Sequence, residues 1–173
     1  MKLSKNQISL AGEFAVLSRL TLRGYDANLT LGNTKGVDIL VSDPESDTMF
    51  KVEVKTNHQQ VLNKPSFSKV HGKVVSGWIM HKKHETLVSP NLFYCFVNIH
   101  DDAEKFNFYM VPSKVVAAYV RDQHNLWLKE KKKEGKAVVN SDMRIFRLGI
   151  KTEKYPIETP LAERYENNWG FKN

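Results

Sequence analysis

Gly36-Val37-Asp38-Ile39-Leu40-Val41 and, after an acidic turn, Phe50-Lys51-Val52-Glu53-Val54-Lys55 are the stretches whose reading decides this fold. In both, apolar residues recur at nearly every second position, the period of a half-buried strand. Asp43-Pro44-Glu45-Ser46-Asp47 between them supplies turn-forming residues. Folding the chain back about Glu45 and Ser46 gives a register that pairs Val37 with Val54, Ile39 with Val52 and Val41 with Phe50. Every apolar side chain then shares one face, and a slip of one residue would turn them all over. The same register sets Asp38 opposite Glu53, with Lys55 on their side. Like charges facing across a ladder destabilise it, and a divalent cation would remove that conflict.

A hard cation such as Mg²⁺ takes oxygen ligands and often only one or two carboxylates, with water and phosphate oxygens completing the shell. Asp38 and Glu53 meet that need. Lys55, two positions beyond Glu53, points to the same side and could orient or help deprotonate an attacking water, or offset charge in a phosphoryl transition state. The plain alternative is a surface hairpin whose Asp38, Glu53 and Lys55 make solvated ion pairs of little energetic worth.

These residues resemble the signature of the PD-(D/E)xK nuclease superfamily, with Asp38 as the leading acid and Glu53-Val54-Lys55 as the (D/E)xK element. Val37 stands where the motif has proline. The resemblance covers residues 5–60 and is carried by the order helix, strand, Asp strand, Glu-x-Lys strand. It implies an α/β, restriction-endonuclease-like fold, a mixed central β-sheet flanked by helices. It also implies a nuclease acting on DNA, with Mg²⁺ or Mn²⁺ held by Asp38, Glu53 and the Val54 carbonyl and with Lys55 serving hydrolysis. Glu13 on the first helix would assist through water, and a homodimer is the family's usual assembly. Lys35, beside Gly36, and Gln59, just past the Glu-x-Lys strand, are candidate substrate contacts; a solvated loop lysine and a loop-capping amide are the plain readings. The rival function is a nucleic-acid-binding protein on the same fold that does not cut.

Ser4 with Gln7 three positions on is a capping-box pattern, and Leu10, Phe14, Leu17 and Thr21 share a helix side until Gly24 ends the run. Glu13 falls on that side, so it is expected to point toward the sheet rather than into open water. Otherwise it is an edge glutamate paired with Arg19 or Arg23.

Beyond this region, Leu92 to Ile99 is an apolar run fit for a central strand, and residues 106–111 alternate as its hairpin partner. Pro112-Ser113 opens a helix that runs into a lysine-rich end over residues 129–136. The segment Gly77-Trp78-Ile79-Met80-His81-Lys82-Lys83-His84 reads as a binding surface more than as core. His81 and His84 have no third ligand nearby, so phosphate or solvent contact fits them better than a metal site. Residues 143–150 add a strand or pack over the sheet. One domain over residues 1–150 with a C-terminal tail at 151–173 is the expected organisation.

Composition agrees: 173 residues with 41% hydrophobic content can bury a core. Lys plus Arg number 26 against 19 Asp plus Glu, a formal charge of +7 that favours a polyanionic partner. No apolar run of about 18 residues suggests a membrane span, and the N-terminus leads into an amphipathic helix, so the chain reads as cytosolic. Cys95, the single cysteine, sits within an apolar run and is expected to be a buried thiol.

Overall fold

The structure, a computed structural model, describes residues 3–30, 36–58, 76–139, 141–149 and 155–171. Lys35 and Gln59 lie outside the described residues. Helix α1 (Lys5–Thr21) is followed by strands β1 (Asp26–Leu29), β2 (Ile39–Asp43) and β3 (Thr48–His58). The β2–β3 hairpin has the register that the alternation requires: Ile39 lies opposite Val52 and Val41 opposite Phe50. The ladder ends there, short of the expected Asp38–Glu53 and Val37–Val54 pairs. The Asp38 N–H reaches the Val52 carbonyl (2.9 Å), while Thr30 takes the Asp38 and Val37 carbonyls with its N–H and hydroxyl (2.9 and 2.7 Å). Residues 37 and 38 are thereby drawn toward the end of β1, and Gly36 turns the chain with a φ of +72°.

Strands β5 (Leu92–Ile99) and β6 (Phe106–Pro112) form a second hairpin, laid beside the first through parallel pairing of β3 with β5. The result is a five-stranded mixed sheet in the order β1-β2-β3-β5-β6. Strands β4 (Ser76–His81) and β7 (Met143–Leu148) make a separate two-stranded antiparallel ribbon. Helix α2 (Ser113–Lys133) starts directly after Pro112, and α3 (Ala162–Tyr165) is a single turn.

The central sheet is covered on both sides, which is why every residue of β5 is buried. On one face Val16 and Leu20 of α1 meet Ile39, Val41, Val52, Val54, Phe93 and Cys95. On the other, Tyr94 and Phe96 meet Trp78 of β4, Phe146 of β7 and Tyr119 and Val120 of α2. The segment read as a binding surface is thus half core: Trp78 and Met80 alternate inward while Ile79 stays exposed. Of residues 155–171, Tyr155, Ala162 and Tyr165 join the second cluster, and Trp169 and Phe171 join the first.

Helix α1 starts as expected, Ser4 and Gln7 exchanging backbone-to-side-chain hydrogen bonds of 2.8 and 3.2 Å. Its inward face is not the one expected. Leu10 and Phe14 are about half exposed, and Gly12, Val16 and Leu20 are buried instead. Gly12 explains the rotation. A Cβ there would lie 1.9 Å from Thr56 Oγ1, so the helix backbone lies directly on β3, an approach that only the smallest residue permits. Among the described residues, no helix is long and apolar enough to cross a membrane.

Candidate active site

Strand β3 lies between β2 and β5, so a carboxylate at its middle is deep in the sheet. Val52 and Val54 face α1, and Glu53 faces the other way, beside its register partner Tyr94, with 2% of its surface exposed. Burying a carboxylate costs several kcal/mol unless charge and hydrogen bonds offset it. Here the offset is one-sided. Lys55 Nζ lies 2.6 Å from Glu53 Oε1, and His84 Nε2 lies 3.6 Å from that same oxygen. Glu53 Oε2 is buried and has no hydrogen-bond partner among the described residues. Gly36 borders it: a Cβ built there would lie 3.2 Å from Oε2.

Asp38, where the chain leaves the β2 ladder, turns its carboxylate toward the same strand and accepts the Val54 N–H at 2.6 Å. Burial raises its pKa, and the negative charge of Glu53 adds to the rise. The Val54 hydrogen bond and the positive charges of Lys55 and Lys83 oppose it without cancelling it. Glu53 thus acts on Asp38 as a like charge, a smaller cause than burial, although the two residues are not a ladder pair. Val54 directs its side chain to the α1 core, so what it offers this site is backbone.

Glu13 sits on α1, which packs against the Val52–Val54 face. Its carboxylate accepts the Ser9 hydroxyl at 3.0 Å, and among the described residues no hydrogen bond or ion pair joins it to Asp38, Glu53 or Lys55. The arginines offered as its partners go elsewhere: Arg19 lies over the Phe108 ring (5.7 Å) and Arg23 over Trp169 (4.8 Å).

Beside Lys55 opens a groove of about 570 Å³, lined by Lys55, Ile79, Met80, His81, Lys83 and His84. His84 forms its buried wall. Burial, with Lys55, Lys83 and His81 nearby, lowers the His84 pKa to about 3, so the imidazole is neutral. Its Nδ1 lies 2.8 Å from the Tyr94 hydroxyl. Sequence pattern puts His84 at the surface, whereas it is buried, and gives no reason to group it or Tyr94 with the acids. No local pattern marks them, because they reach Glu53 only through the β3–β5 seam and the ribbon.

Among the described residues, no three His, Cys, Asp or Glu side chains gather into a ready-made metal cage. The donors present are carboxylate oxygens from two residues, the set that Mg²⁺ or Mn²⁺ accepts when water and phosphate complete the coordination. Glu53 Oε2, buried and without a donor, is the atom such a cation would satisfy.

No protein-family model matches the chain, and no curated protein matches it in sequence. Among solved structures it is similar to a bacterial homing endonuclease, with a TM-score of 0.52 and 16% identity over 96% of this chain and 91% of that one. At that identity the likeness is one of fold, and it spans nearly the whole of both chains.

Proposed function

We propose that this chain is a metal-dependent endonuclease of the PD-(D/E)xK kind that hydrolyses phosphodiester bonds in DNA. The observation that carries the reading is the Glu53 carboxylate: buried at mid-sheet, neutralised by Lys55 on one oxygen, bare on the other, with a second, partly buried carboxylate at Asp38. A protein that only bound DNA would gain nothing from burying Glu53, and partly burying Asp38, beside a polyanion's path. The fold likeness to a protein named as a homing endonuclease supports the same reading.

Asp38, Glu53 and the Val54 carbonyl are the proposed ligands. A bound Mg²⁺ or Mn²⁺ would polarise the scissile phosphate and lower the pKa of a coordinated water. The chain's own residues do the rest. Lys55, partly exposed at the groove edge, holds Glu53 Oε1 and presents the remaining ammonium protons to the attacking water or the phosphate. Asp38 shares its burden with the Val54 N–H, which fixes the carboxylate against β3. Lys83 and His81 line the groove where a phosphate backbone would run, and the +7 charge draws it there. Glu13 is assigned an indirect part, through water.

The test is incubation with supercoiled plasmid and with branched DNA in Mg²⁺ or Mn²⁺, with EDTA, Asp38→Ala and Lys55→Ala as controls. Cleavage abolished by all three supports the assignment. Salt-sensitive binding without cleavage in any metal would replace it with a non-cutting DNA binder.

A further inference from the structure

Glu53 has its fixed oxygen held from two directions. Lys55 reaches Oε1 along the strand, and His84 reaches it from across the groove. His84 is itself clamped. Its Nδ1 meets the Tyr94 hydroxyl at 2.8 Å, and the two rings stand nearly perpendicular, 78° apart with centroids at 5.5 Å. The 3-10 turn that carries it (Lys82–Glu85) is tied to the ribbon by the Lys82 N–H on the Asp142 carbonyl (2.8 Å) and by the Glu85–Arg144 ion pair. Arg144 is fixed in turn by the Ser141 and Met143 carbonyls at 2.7 and 3.0 Å. Tyr94 is fully buried in β5, next to Glu53 in the parallel register.

We propose that His84 and Tyr94 are positioning residues: together they hold Glu53 by Oε1 and so leave Oε2 as the oxygen presented to the cation. The inference rests on the nuclease reading above and extends it to two side chains on elements outside the acid-bearing hairpin. Neither touches substrate. At 3.6 Å the His84–Glu53 contact is longer than a hydrogen bond, so the ring restrains the carboxylate by blocking its rotation as much as by donating to it. The ribbon formed by β4 and β7 thereby gains a role beyond covering the sheet, because it carries the turn that fixes the acid.

The experiment titrates Mn²⁺ into the metal-free full chain by calorimetry, for wild type, Tyr94→Phe, His84→Gln and His84→Ala, and measures plasmid cleavage beside it. Losing a group that orients a metal ligand typically costs 10- to 100-fold in affinity or activity. Tyr94→Phe, which removes one oxygen and no volume, should weaken Mn²⁺ binding roughly tenfold and lower kcat at an unchanged KM for DNA, with thermal melting confirming the fold. His84→Gln should retain more Mn²⁺ affinity than His84→Ala. If wild type binds Mn²⁺ and cuts while Tyr94→Phe and His84→Gln do both equally well, the positioning role is refuted and the nuclease reading stands. If wild type neither binds Mn²⁺ nor cuts, the nuclease reading fails and takes this inference with it.

Discussion

Replacing Gly12 with alanine sets two effects of opposite sign against each other. In a helix interior, alanine is favoured over glycine by about 1 kcal/mol, so propensity alone makes Gly12→Ala stabilising. The packing says otherwise. The new Cβ would lie 1.9 Å from Thr56 Oγ1 and 2.9 Å from both Thr56 Cβ and Cγ2. Turning the threonine side chain moves Oγ1 and leaves Cβ where it is, so α1 must retreat by at least about 0.6 Å to reach the ~3.5 Å of ordinary carbon contact. That retreat loosens Val16 and Leu20 against β2 and β3 along the whole interface. Overpacking of this kind costs typically 1–3 kcal/mol. Against the propensity gain, the balance is a net loss of about 1 kcal/mol, reaching about 2 if the helix cannot shift freely. Urea unfolding of Gly12→Ala should show a lower midpoint at an unchanged slope. Thr56→Ala in the same background should recover part of the loss, because it removes two of the three crowded atoms, and a double-mutant cycle isolates that coupling. A Gly12→Ala protein more stable than wild type by about 1 kcal/mol would show that the helix has room to spare and that the approach to β3 is not tight.

Other consequences can be checked separately. Because burial raises the Asp38 pKa, the charged form is the less favoured one in the fold; wild-type stability contributed by this group is greatest when it is protonated and is lost as pH rises through its raised pKa. Asp38→Asn, which keeps an oxygen for the Val54 N–H, should therefore melt above wild type at neutral pH, and the gap should close as the pH approaches the ordinary carboxylate value of about 3.8; an unchanged gap at low pH would contradict the assignment. Cys95 is fully buried, and burial pushes its thiol pKa up, so a thiol reagent at neutral pH should label unfolded but not native protein. Phe14→Ser, at a half-exposed position, should shift stability by no more than about 0.5 kcal/mol, and a loss of several kcal/mol in chemical denaturation would restore the sequence-derived helix face.

That helix face shows where sequence pattern stops being sufficient. Leu10, Phe14 and Leu17 make the larger apolar stripe, and periodicity prefers the larger side chains. The structure chose the stripe with Gly12 because close approach of backbone to strand has no signature in hydrophobicity. The β2–β3 hairpin was legible because a period of two admits only one register once Val41 and Phe50 must share a face. Its last two pairs were not, since the competing carbonyl contacts come from Thr30, outside the hairpin. Asp38, Glu53 and Lys55 could be grouped from sequence because eighteen consecutive residues contain them all. His84 and Tyr94 belong to another hairpin and a ribbon, joined to Glu53 through long-range pairing that no local pattern encodes.

The parallel seam between β3 and β5 also sets an order of events in the making of this protein. Each hairpin closes through near neighbours, whereas the seam joins strands separated by the whole length of β4 and its turn. Local contacts form first and distant ones pay a larger loop-closure cost. On a nascent chain both acids and the lysine emerge and can meet while Tyr94 is still unmade. The first hairpin therefore holds its charges in contact with water until the second arrives, and closure of the seam is the step that takes Glu53 out of solvent. A chain stalled before that step would carry every acidic and basic group of the proposed centre in a state too hydrated and too mobile to cut.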